Sequence, residues 1–212
     1  MDGNYGYSNG REALLESGER ARKMSKKLNI YFAIRMLMIV MNIVIKGVDF
    51  VSSTLETQIG FAAVARYISV AIAAVGVAVV FWMATHHKMF IAAGIAGLVN
   101  IAFAFVKIPD TMGFRLLDMG ITMIFVLLFC KAMQLSLDEL GSNLGSTWHV
   151  LMIILAVAVV AVAITFPISL IESLAIIAML LMVFELIVLL GGIVFFLVLI
   201  KKSANEFRDC AY

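Results

Sequence analysis

Six long apolar segments separated by short polar gaps constrain this chain more than any other feature. They fall near residues 28–48, 61–84, 89–108, 114–132, 148–167 and 174–200. A bilayer core about 30 Å thick is crossed by about 20 apolar residues in a helix. Each segment is close to that length, so the pattern predicts six membrane crossings. A span must satisfy its own backbone hydrogen bonds, which restricts it to helices or a closed barrel. Barrel strands are about ten residues long and alternate polar with apolar positions. The run from Leu151 to Ile164 shows no alternation. The expected fold is therefore an all-α membrane protein, a bundle of six transmembrane helices. Composition agrees, since only 14% of residues are charged, against about 25% in soluble domains.

The placement of charge predicts orientation. Ahead of the first span stand Arg11, Arg20, Arg22, Lys23, Lys26 and Lys27. If that end is cytoplasmic, six crossings return the C-terminus to the same side. Lys88, Lys131, Lys201, Lys202 and Arg208 then join the inner set, making eleven, against Lys46, Lys107 and Arg115 outside. Basic residues accumulate on the cytoplasmic side of membrane proteins. The bias predicts both termini inside and a multi-pass protein of the cell membrane. The first apolar stretch is too long for a cleavable signal. Cys130 and Cys210 fall on the inner side, where thiols stay reduced.

Three regions are expected: a polar, basic N-terminal tail over 1–27, the membrane domain over 28–200 and a C-terminal tail over 201–212. Residues 1–10 read as unstructured. Residues 11–27 suit a helix, because Glu16/Arg20 and Glu19/Lys23 have the favourable i,i+4 order. Arg20, Arg22, Lys23, Lys26 and Lys27 abut the membrane and are expected to meet anionic lipid head groups. Asp49 to Gly60 reads as the longest external loop. Residues 133–147 read as an inner loop with a short interfacial helix between spans four and five, because Ser136 and Glu139 fit a capping box. At an offset of 80, Arg35 aligns with Arg115 and Thr85 with Thr165. An inverted repeat of three spans each would give such a pattern, but the matching valine and alanine runs arise easily by chance.

Charged groups inside a span cost about 2.5–3.5 kcal/mol on insertion scales, so each needs a reason. Counted at about 1.5 Å per residue from the inner end, Asn42, Asn100, Asp118 and Glu185 lie roughly 16 to 22 Å deep. They form a candidate intramembrane polar layer near the midplane. Arg66 lies nearer the outer face and could pair with Asp118. Arg35 is only about 10 Å deep and reads as structural, its side chain reaching back to the inner interface. An interhelical hydrogen bond in lipid is worth about 0.6 kcal/mol. That does not offset the insertion cost of Glu185, which therefore reads as a protonatable site. Gly94, Gly97, Gly76, Gly191 and Gly192 permit close helix packing.

Catalytic and metal motifs do not occur. His86, His87 and His149 sit at the inner edge without the spacing of a metal site. Neither an enzyme nor a cofactor is expected, and nothing suggests nucleic-acid binding. The sequence favours a protein that binds or translocates a small solute or ion, alone or with partner subunits or further copies. The competing reading is a non-transporting assembly, immunity or regulatory subunit whose polar layer only fixes packing.

Overall fold

The computed structural model describes residues 5–55, 61–105, 112–169 and 171–210. Among these it is all-helical and holds no strand. The helices are α1 (Tyr5–Leu55), α2 (Phe61–Met83), α3 (Met89–Phe105), α4 (Met112–Asp138), α5 (Leu144–Ser169) and α6 (Ala175–Asp209), with a 3-10 turn at Glu172–Leu174. Four of them are long and apolar enough to cross a membrane, over Glu16–Val48, Leu117–Asp138, Leu144–Thr165 and Ile176–Asp209. The apolar stretches Tyr67–Met83 and Met89–Phe103 are shorter.

Each helix packs on its neighbours in sequence, and α6 closes back onto α1. The result is a ring of six. Short connections make neighbouring helices antiparallel. The start of α1's apolar span, the turns 84–88 and 139–143, and the end of α6 therefore meet at one face. We call this the basic end, since Arg20, Arg22, Lys23, Lys26, Lys88, Lys202 and Arg208 are exposed there.

The core is concentrated toward the basic end. On α1 the buried positions Ala21, Met24, Leu28 and Tyr31 recur at helical spacing. They pack with Val80 and Met83 of α2, Phe90 of α3, Phe129 and Met133 of α4, Trp148 and Leu151 of α5, and Leu199 and Phe207 of α6. Large apolar residues such as Val194 and Phe184 point outward, as lipid contact requires. Gly94 and Gly97 let α3 approach its neighbours. A Cβ at Gly94 would lie 2.7 Å from the Phe81 ring, and one at Gly97 would lie 2.7 Å from Val77.

Polar bonds tie the basic end together. Ser25 Oγ donates to the Ala204 carbonyl (2.6 Å) and Lys201 Nζ to Asn29 Oδ1 (2.7 Å), joining α1 to α6. Trp148 Nε1 donates to Ser203 Oγ (2.9 Å), joining α5 to α6. Met89 N–H donates to His87 Nδ1 (3.1 Å) at the start of α3.

Three segments depart from the sequence reading. Residues 49–55 continue α1 instead of starting a loop; after Gly47 no glycine or proline interrupts the helix before Leu55. No separate interfacial helix forms between spans four and five. Residues 133–138 extend α4 because Met133 and Leu137 are fully buried, and Ser136 Oγ bonds back to the Ala132 carbonyl (2.9 Å) instead of capping a new helix. The chain then turns at Gly141, whose φ of +69° suits glycine. In the C-terminal tail, for which the sequence reading set no secondary structure, α6 runs on to Asp209, burying Ser203, Ala204 and Phe207. The third departure is at the N-terminus: residues 5–10, expected to be unstructured, are the first turns of α1, which begins at Tyr5. Its expected pairs form, Arg20 with Glu16 and Lys23 with Glu19 (2.7 Å).

Candidate functional site

Packing is uneven along the ring. Near the basic end the centre is filled by aromatic side chains. Phe129 of α4 lies at the hub, with Tyr31, Phe90, Phe125, Trp148 and Phe196 around it at centroid distances of 4.8 to 6.4 Å. Beyond this plug, toward the far end, two cavities open inside the ring. One, of about 520 Å³, lies among α1, α3, α4, α5 and α6. The other, of about 220 Å³, lies among α1, α2, α3 and α4. Arg35, Met38, Asn100 and Thr122 border both. The larger cavity has a mostly apolar wall, including Met119, Met123, Leu189 and Ile193.

Arg35 sits directly on the plug. Its Nε donates to the Tyr31 hydroxyl (2.8 Å), one turn earlier on α1. Its guanidinium lies over the Tyr31 and Phe125 rings at 5.2 and 5.1 Å. Such cation–π contacts suit a guanidinium removed from bulk water. Among the described residues no carboxylate pairs with Arg35, and both Nη groups lack a protein acceptor. Asn100 Nδ2 donates to Thr122 Oγ1 (2.9 Å), joining α3 to α4 on the same wall. Asn42 borders the larger cavity two turns beyond Arg35 on α1.

The expected polar layer is thus divided. Asn42 and Asn100 border the larger cavity. Glu185 does not: it is buried between α5 and α6, where its carboxylate accepts a hydrogen bond from Thr165 Oγ1. Asp118 is exposed on α4 and borders neither cavity. The Arg66 side chain, and with it the Asp118–Arg66 pair, lies outside the described residues. Of the residues expected to meet lipid head groups, Arg20, Arg22, Lys23 and Lys26 are exposed. Lys27 is buried and turned inward. Its ammonium donates to the Trp82 carbonyl (2.8 Å) and Thr85 Oγ1 (2.7 Å) and lies 4.9 Å from the Trp82 ring. The same carbonyl accepts from Thr85 Oγ1 (3.1 Å), so Lys27 closes a small polar cluster at the C-terminus of α2, where a cation also meets the negative end of the helix dipole.

A third cavity, about 430 Å³, lies at the basic end between Arg20, His86, Glu139 and Phe207. Burial, together with the positive charges of Lys27, Arg20 and Lys23, pushes the His86 imidazole down to about 4. Among the described residues no group of three His, Cys, Asp or Glu side chains is placed to hold a metal.

Arg35 and its partners were the residues that depth alone did not reveal. Their signal is the helix face. Met24, Leu28, Tyr31, Arg35, Met38 and Asn42 succeed one another by three or four positions, so a buried stripe at the basic end continues into the cavity wall. Comparisons with protein-family models, curated proteins and solved structures gave no match to this chain.

Proposed function

We propose that this chain is a six-span protein of the cell membrane, with both termini cytoplasmic, that binds a small solute in the cavity beside Arg35. One observation carries the reading: an intramembrane guanidinium, held by two rings and one hydroxyl, borders a cavity, and among the described residues no protein acceptor meets its Nη groups. A charge in a span is costly and calls for a compensating group. A solute or water in the cavity supplies one. The aromatic plug separates the cavity from the basic end, as one facing state of a carrier or the floor of a binding subunit would require. The competing reading, a non-transporting subunit, draws on Glu185, whose bond to Thr165 is a helix–helix tie.

The test is thiol labelling in a Cys210→Ser background, since Cys130 is buried. A membrane-impermeant maleimide applied to intact cells should label Asn42→Cys through the cavity and should not label Ile43→Cys, which faces outward from α1. It should label Asn143→Cys only after permeabilisation. Labelling of Asn143→Cys in intact cells refutes the orientation. Protection of Asn42→Cys under both conditions removes the water-accessible cavity.

A further inference from the structure

We infer that the solute is an organic anion, with a carboxylate or phosphate head on the Arg35 guanidinium and an apolar body along Met38, Met119 and Met123. The inference rests on the solute-binding reading above and adds its ligand class. Three observations lead to it. First, Arg35 is held in place on its Nε side by Tyr31 and on its faces by the Tyr31 and Phe125 rings. The Nη edge is what remains, and that edge forms the fork that meets two oxygens of an oxyanion. Second, a further donor borders the same space. Thr122 Oγ1 accepts from Asn100, so its own proton is available for the cavity. Third, the wall opposite is apolar and no carboxylate of the described residues borders the larger cavity. A cationic ligand would meet an uncompensated like charge, and a neutral one would leave Arg35 without a counter-charge. The volume of about 520 Å³ is in the range of ordinary small-molecule sites, about 300–1,000 Å³.

The experiment uses the full chain in nanodiscs of zwitterionic lipid, with calorimetric titration of octanoate, octyl phosphate, octanol and octyltrimethylammonium. Both anions, or one of them, should bind at least about tenfold more tightly than octanol, since a charge-assisted fork is worth that much. The stronger anion identifies the head group. The ammonium should bind no better than octanol. Arg35→Gln should erase the anion preference, and Arg35→Lys should keep part of it, because a point charge remains without the fork. Met123→Trp, which fills the cavity, should weaken every ligand. Equal binding of octanol and the anions, with both weakened by Met123→Trp, overturns the ligand class and leaves the cavity reading standing. Binding that neither Arg35→Gln nor Met123→Trp alters, or no binding at all, overturns both.

Discussion

Phe129→Ala gives the sharpest test of how the ring is held together. Phe129 has no exposed surface and touches five other aromatic rings. In lipid the helices gain little from removing apolar surface from solvent, because the surroundings are as apolar as the core. What remains is ring–ring contact and the void left by truncation. At the low end of about 0.5 kcal/mol for each aromatic pair, five pairs give about 2.5 kcal/mol. Incomplete collapse of the void brings the total to about 3 kcal/mol, the lower edge for buried Phe→Ala changes. Phe129→Leu retains most of the volume and should lose about 1 kcal/mol. The matched control is Phe184→Ala on α6, where the ring is 64% exposed on the outer surface; it should change stability by less than about 0.5 kcal/mol. Reversible unfolding in mixed detergent micelles, followed by tryptophan fluorescence, measures all three. Trp148 is in the plug, 6.0 Å from Phe129 by ring centroid, so its emission reports loss of the plug directly. Equal losses for Phe129→Ala and Phe184→Ala would refute the hub.

Two further predictions concern polar groups away from the cavity. Glu185→Gln keeps the acceptor used by Thr165 and should leave stability nearly unchanged; a Glu185→Leu, Thr165→Val double-mutant cycle should give a coupling of about 0.6 kcal/mol and no more than about 1.7 kcal/mol. Zero coupling would remove the tie between α5 and α6. His86 binds its proton in the folded chain only near pH 4, against 6.5 for an ordinary histidine. Between these values the unfolded chain holds more protons, so stability should fall as pH drops from about 6.5 toward 4. His86→Gln should flatten that part of a melting-temperature profile, and an unchanged slope would show that other groups set it.

The helical class was legible because span length and lack of alternation are one-dimensional properties. The surface pairs of Glu16 with Arg20 and Glu19 with Lys23 were legible for the same reason: four residues along a helix fix their geometry. What failed was azimuth. Counting depth placed Glu185 level with Asn42 and Asn100, but side chains at one height meet only if their helices turn them toward each other. Glu185 faces α5 and Thr165, whereas the two asparagines face the cavity. Depth likewise placed Arg35 within reach of the interface; Tyr31 one turn earlier directs it inward instead. Lys27 read as one of a basic run because nothing local marks the α2 terminus that receives it, 55 residues away in sequence. Ser136 read as a cap because its motif is local, while the burial of Met133 and Leu137 that keeps α4 going is set by the rest of the core.

The unbroken run of α1 has a mechanical consequence. From Glu19 to Lys46 the helix contains neither glycine nor proline, the residues at which helices usually bend. The exposed positions Arg22, Lys23 and Lys26 and the cavity-lining positions Arg35 and Asn42 therefore belong to one stiff shaft. From Arg22 to Arg35 is about 20 Å at 1.5 Å per residue. A force on the exposed segment reaches the guanidinium as rotation or axial travel, with no joint between to absorb it. Three anchors resist such travel: the Lys27 ammonium seated on the end of α2, the Ser25 hydroxyl on the Ala204 carbonyl of α6, and the Asn29 side chain held by the Lys201 ammonium of α6. They work as detents, so the angular setting of Arg35 in the cavity is fixed from outside it, at the basic end.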